Sequence, residues 1–262
     1  MGENDSSIYR IKPMMNYLLE DKKRLVEFLA RVGITVQTNE LKKTAIFYAD
    51  HNGEKALIPP CNYLKEIIDN LPKNAYAKKA VEKFKNNETR KKRMQLFTDE
   101  NFREEVKADI TKEYSNQKES YNDFKYFEGS SYPDVYIETE KYIIVIEGKW
   151  TEASPTEKTS YIQNRNQMVR HIHDAINYAE INNLDKVVKA FYVVENDFAE
   201  RNKIDRKSFQ EKLPRQFGIK GYENIIAEAY LGFITWQEVE QMYPDIVNSD
   251  GWKPDCTKAN HL

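Results

Sequence analysis

Apolar residues recur at helical spacing in YLLEDKKRLVEFLARVG. Leu18, Leu25, Phe28, Leu29 and Val32 share one face, and Gly33 follows as a C-cap, so the spacing predicts an N-terminal helix. Two short apolar runs then flank Asn52-Gly53 in TAIFYADHNGEKALIPP. That dipeptide readily takes the positive φ values of a tight turn, so a small hairpin is expected. From YLKEIIDNL to about Leu96 the period is helical again, broken near Leu71-Pro72. TDENFREEVKADITKEY predicts a further helix, with Thr98 followed three residues later by Asn101, acids in its first turn, and Phe102, Val106 and Ile110 as its apolar stripe.

Beyond it DFKYFEG, DVYIE and YIIVIEGKW read as strands, QNRNQMVRHIHDAINYAEI as a helix, and KVVKAFYVVEN as an almost wholly apolar strand. A strand of that kind must be covered on both faces. The α-β-β-β-α-β order therefore predicts a three-layer α/β core, a mixed sheet flanked by helices. LGFITWQEVEQMY reads as a strand turning into a helix, with Thr235 and Glu238 spaced as a capping box. The expected organisation is a mainly helical N-terminal accessory region over 1–97, a core domain over 98–247 and a loose tail over 248–262.

Composition changes this picture little. Lys and Arg number 40 against 42 Asp and Glu, a formal charge of -2, so any polyanion footprint must be local. The most basic stretch carries Lys78, Lys79, Lys83, Lys85, Arg90, Lys91, Lys92 and Arg93. Such a run is ordinarily a solvated helix face, and beside a phosphate-cutting site it could follow a nucleic-acid backbone. Cys61 and Cys256 lie far apart with no C-x-x-C spacing, which argues against a disulfide framework or a structural zinc site. The acidic first twenty residues do not resemble a signal peptide, and no stretch approaches the roughly 20 apolar residues that span a bilayer. A cytoplasmic protein is expected.

The segment SYPDVYIETEKYIIVIEGKW, from Ser131 to Trp150, places Asp134, Glu147 and Lys149 in an otherwise apolar hairpin. Strand alternation puts Ile143, Val145, Glu147 and Lys149 on one face, and Ile144, Ile146 and Trp150 on the other. A turn centred between Glu140 and Lys141 sets Asp134 opposite Glu147, whereas a Thr139-Glu140 turn sets it opposite Val145. Either way Asp134 faces the same side. Two carboxylates that close repel unless a proton or cation lies between them, and with no His or Cys among them they suit magnesium or manganese. Asp134 and Glu147 would hold the ion, and Lys149 would orient water and stabilise charge developing on a phosphate.

Pro133-Asp134, the thirteen-residue step to Glu147, and Glu147-Gly148-Lys149 on an apolar strand resemble the PD-(D/E)XK nuclease superfamily over roughly Thr98 to Asn196. The resemblance implies a restriction-endonuclease-like core, Mg2+ (with Mn2+ as a substitute) at Asp134, Glu147 and the Gly148 carbonyl, and phosphodiester hydrolysis, with DNA as the expected partner. In that family the helix after the lysine strand often presents a Gln near the site, and Gln167 matches it, with Gln163 as the next candidate. Gln163, Gln167, His171 and Asp174 form a polar row beside the apolar stripe, a pattern that any amphipathic helix shows. His171 and His173 point about 200° apart and cannot readily chelate one ion. Arg165 and Arg170 are candidates for phosphate contact or plain solvation, Glu105 and Glu113 for an extra acid, and Trp150 for the core.

The expectation is thus a metal-dependent deoxyribonuclease acting in defence against foreign DNA or in repair. Its N-terminal segment would contribute substrate contacts or homodimer formation. The rival is a catalytically silent nucleic-acid-binding or protein-interaction module on the same fold.

Overall fold

A computed structural model describes residues 6–49, 51–115 and 123–253. A π-helical turn, Ser7–Ile11, leads into α1 (Lys12–Glu20) and α2 (Lys22–Arg31). Asp21 caps α2 by accepting from Lys23 N, and Gly33, at φ 85°, ends it as the sequence predicts, with Ile34 N donating to Leu29 O at 3.0 Å. Strand β1 (Ala45–Tyr48) follows, then α3 (Cys61–Asn70), a 3-10 turn at Leu71–Lys73 where the Pro72 break was expected, α4 (Ala75–Glu82), α5 (Asn87–Gln95) and α6 (Glu100–Ser115). The hairpin strands are β2 (Val135–Glu138) and β3 (Tyr142–Gly148). After them come α7 (Gln167–Ile181), β4 (Val187–Val194), α8 (Asn196–Asn202), α9 (Arg206–Lys212), α10 (Glu223–Ala229), β5 (Tyr230–Thr235) and α11 (Trp236–Met242).

The five strands form one mixed sheet in the order β1-β2-β3-β4-β5. β1 and β3 run antiparallel to β2, and β3, β4 and β5 run parallel. One face packs against α1, α2 and α11 through residues such as Met14, Phe28, Ile144, Phe191 and Val239. The other packs against α7, α9 and α10 through Ile143, Val145, Ile172, Tyr192 and Ile226. β4 contributes to both clusters, so its apolar run is accounted for by cover on two sides. A third cluster joins α3, α4 and α6 to Tyr126, Phe127 and Ile162. The Thr235–Glu238 capping box opens α11 as expected. No helix among the described residues is long and apolar enough to cross a membrane.

The structure corrects several expectations. DFKYFEG is not a strand: Phe124 stacks on Phe102, Lys125 reaches Asp109 and Glu113, and the Tyr126 hydroxyl donates to Glu113, so its side chains are drawn to α6. The strand beside β2 at the sheet edge is β1, so the sheet extends across the expected boundary at residue 97. Asn52 and Gly53 do take positive φ, 63° and 71°, but no hairpin follows; beyond the turn only an isolated bridge pairs Leu57 with Ser131. Asp99 caps α6, accepting from Phe102 N at 3.0 Å. α7 begins four residues later than expected, capped by Asn166. The tail is anchored at its start, because Trp252 is buried beside Trp236 with the Arg10 guanidinium 4.5 Å from its ring centre. Residues 254–262, Cys256 among them, lie outside the described residues.

The N-terminal turn presses directly on β3. A Cβ built at Gly148 would lie 2.6 Å from Ile11 Cγ1 and 2.9 Å from Cδ1, and Ile11 is completely buried, so it has no room to give way. Gly148→Ala should therefore cost about 1–3 kcal/mol of stability by overpacking. In an Ile11→Ala background the same change should cost much less. Urea unfolding of the two single variants and the double variant measures that coupling, and additive costs would refute the contact.

Candidate active site

The β2–β3 turn decides the geometry. Thr139 N donates to Tyr142 O at 2.9 Å, and the Thr139 hydroxyl accepts from Lys141 N and Tyr142 N. The turn is thus centred between Glu140 and Lys141, and Val135 pairs with Ile146. One residue further, Asp134 falls opposite Glu147. Of the two registers that the sequence allows, this is the one that opposes the acids. Asp134 Oδ2 accepts from Gly148 N at 2.8 Å, which ties the loop acid to the end of β3.

Glu147 lies on the α7 face of the sheet, as strand alternation requires, and is almost fully buried. Its Oε1 accepts from Lys149 Nζ at 2.9 Å and from Gln167 Nε2 at 2.6 Å. Its Oε2 lies 3.3 Å from His171 Nε2 without a well-aligned hydrogen bond. Gln167 and His171 are one helical turn apart on α7, so a single helix face brings both to one carboxylate. Lys149 has its backbone fixed on both sides: its N–H donates to Val193 O on β4, and its carbonyl accepts from Trp236 Nε1, each at 2.9 Å. Glu152 lies 4.0 Å from its ammonium.

The electrostatics follow from this packing. Burial, and then the charge of Glu147, push Asp134 well above the usual carboxylate range. Burial would raise Glu147 too, but the Lys149 ammonium and His171 outweigh it and hold that carboxyl below its ordinary value. Burial works to lower Lys149, and Glu147 and Glu152 overcome it, so the lysine stays cationic. Two opposed acids with unequal proton affinities, one of them with a buried oxygen lacking a hydrogen-bond partner, form a pair that a cation would satisfy. Asp134, Glu147 and the Gly148 carbonyl are hard oxygen donors suited to magnesium or manganese. The Ser6 hydroxyl lies 3.1 Å from that carbonyl and 3.1 Å from Glu152 Oε1; its one proton serves a single acceptor, and a carbonyl oxygen has two lone pairs. Among the described residues no group of three or more His, Cys, Asp or Glu could hold an ion, so water and substrate oxygens would have to complete the shell.

The remaining candidates separate. Gln163 is exposed before α7, Glu105 is exposed, and Glu113 is occupied by Lys125 and Tyr126; none of the three contacts Glu147. Trp150 is buried, as expected. Arg165 is neither exposed nor solvated. It lies in a second buried cluster, 3.3 Å from Glu128 Oε1, 3.2 Å from His173 Nδ1 and 3.8 Å from Asp174 Oδ1, with its guanidinium 4.1 Å from the centre of the Tyr63 ring. Arg170 donates to the Gly129 and Ser130 carbonyls and lies 3.4 Å from Glu128. The polar row on α7 therefore divides, Gln167 and His171 to Glu147, Asp174 to Arg165. The roughly 200° between His171 and His173 accounts for their separate surroundings, and only that angle was readable beforehand.

This second cluster gives a pH signature. Burial, then Arg165, lowers His173 to about 3, while burial raises Asp174 to about 7. The unfolded His binds a proton near 6.5 that the native ring refuses, so its share of stability is lost as pH falls from 6.5 towards 3. The native Asp174 keeps a proton that the unfolded chain has released near 3.9, so its share is lost as pH rises through 7. Relative to wild type, His173→Gln should gain stability as pH falls and Asp174→Asn as pH rises, measured by urea unfolding between about pH 4.5 and 8; parallel curves would refute these assignments. Comparison with protein-family models, curated proteins and solved structures returned no match, so what the site does must be inferred from its own geometry.

Proposed function

We propose that the chain is a metal-dependent nuclease with a restriction-endonuclease-like core, hydrolysing phosphodiester bonds in DNA with Mg2+ or Mn2+ at Asp134, Glu147 and the Gly148 carbonyl. The observation that carries the reading is the β2–β3 register, which opposes Asp134 to Glu147 while Lys149 and Gln167 both bond the same Glu147 oxygen. When bound, the cation would supply positive charge to the phosphate and a more acidic attacking water. Asp134 and Glu147 would fix its position, Lys149 would hold that water and stabilise charge on the phosphate oxygens, and Gln167 would keep Glu147 oriented. His171 would steady the other Glu147 oxygen, as groups behind a metal ligand commonly do.

One observation favours the rival reading of a silent binding module: the Ser6 hydroxyl lies against the carbonyl that would ligate the ion. The two readings diverge in simple assays. Linear and circular DNA should be cut with Mg2+ or Mn2+ and spared with EDTA, and Lys149→Ala should lower the rate by about 100- to 1,000-fold while the protein stays folded. Salt-sensitive DNA retention without cleavage under either cation would favour the silent module. Independently of turnover, calorimetry should show Mn2+ binding that is abolished in Glu147→Gln and weakened about 10- to 100-fold in His171→Ala. Wild-type-like binding by Glu147→Gln would remove the metal site.

A further inference from the structure

Among the described residues, Tyr132 is the most exposed of the large apolar side chains that the fold leaves open, at 53%. The others have ordinary surroundings or lie elsewhere. Phe84 packs under the Arg93 guanidinium, Val187 and Ile225 line one shallow apolar groove beside α10, and Val247 lies in the C-terminal 3-10 turn. Tyr132 stands two residues before Asp134. Burial alternates through Ser131-Tyr132-Pro133-Asp134, with Ser131 and Pro133 inside, Tyr132 exposed and Asp134 half-buried.

The backbone that carries this ring is held on both sides. Ser131 exchanges two hydrogen bonds with Leu57, at 2.8 and 2.9 Å; Pro133 fixes its own φ; and Asp134 is tied to Gly148 N. The ring itself makes no hydrogen bond or ring contact among the described residues. An exposed tyrosine on a fixed backbone has two side-chain torsions left to order, so it can meet a partner at low entropic cost. Two residues span at most about 7 Å of backbone, and stacked nucleotides rise about 3.4 Å each, so the backbone that carries the ring is one or two nucleotide steps from that of Asp134.

We infer that Tyr132 is a stacking platform for a nucleobase flanking the scissile phosphate, and that the preferred substrate is single-stranded or frayed DNA. This rests on the nuclease reading and narrows its substrate. In an intact duplex both faces of each base are already stacked, whereas an unpaired base offers a free π-face, and stacking on a protein aromatic tolerates any base. The phenol hydroxyl has no part in this, so the ring alone should suffice.

The test compares kcat/KM for a single-stranded oligonucleotide and for a blunt duplex of the same sequence, with Mn2+. Tyr132→Ala should lower the single-strand to duplex ratio roughly 10- to 100-fold. Tyr132→Phe and Tyr132→Trp should restore it. An unchanged ratio overturns the inference, including the case in which both substrates slow equally. A second readout needs no cleavage: a single-stranded oligonucleotide carrying 2-aminopurine should be quenched on binding to Lys149→Ala protein and should stay bright with the Lys149→Ala/Tyr132→Ala double variant. If wild type cuts neither substrate with any divalent cation, the nuclease reading fails, and the quenching comparison still decides the role of Tyr132. Equal quenching by both proteins, or no binding of the single strand, overturns it.

Discussion

Asp134, one residue before β2, and Glu147 on β3 fall opposite each other in the register and raise each other's proton affinity, and the rest of the site is arranged around that repulsion. Asp134 and Glu147 are opposed because the turn at Thr139–Tyr142 sets the register, and a slip of one residue would move either acid to the opposite face of the sheet. Once they are opposed, the pair must be neutralised where one member is almost wholly desolvated. The chain divides that load unequally: Gly148 N bonds Asp134, whereas Lys149, Gln167 and His171 converge on Glu147. The result is one carboxyl raised in proton affinity beside one held below its ordinary value.

Much of this was legible in the sequence because strand alternation and a two-residue turn are local properties. The face shared by Val145, Glu147 and Lys149, the two possible registers and the α7 stripe with a polar row beside it all follow from period and spacing. What was not legible depends on partners remote in the chain. β1 is a four-residue edge strand whose identity comes from its pairing with β2, ninety residues later, whereas DFKYFEG has the right alternation but gives its side chains to α6. Arg165 reads as an ordinary exposed arginine until Glu128, His173 and Asp174 are seen around it. His171 carries no sequence mark that separates it from any polar residue beside an apolar stripe; only its distance to Glu147 does.

The N-terminal region bears on the site more closely than a helical accessory region would. Ile11 fills the space that a side chain at position 148 would need, and Ser6 reaches the carbonyl of the same residue. Arg10, fully buried, bonds Glu240 at 3.0 Å and lies among the rings of Trp150, Trp236 and Trp252, and Trp236 in turn bonds the Lys149 carbonyl. The first turn, the end of β3 and the start of α11 therefore form one packed unit. Gly148 is explained by this contact alone, since a strand end that receives a helix so closely cannot carry a Cβ.

Two buried charged clusters use the same helix, and that doubling has a physical reason. A carboxylate held by Gln167 and His171 is only as well placed as α7 itself, and apolar packing fixes the rotation of a helix less sharply than directional bonds do. Arg165 lies two residues before α7, and its guanidinium spans Glu128, His173 and Asp174, so the loop that enters the helix is tied to the helix's own later turns. With Arg170 the cluster holds two guanidinium groups against two carboxyls, one of which, Asp174, is raised to about 7, and such groups are costly to desolvate, which makes it a weak source of stability. Its contribution is positional. It ties the entry of α7 to the helix's own His173 and Asp174, and the same helix carries Gln167 and His171 to one carboxylate.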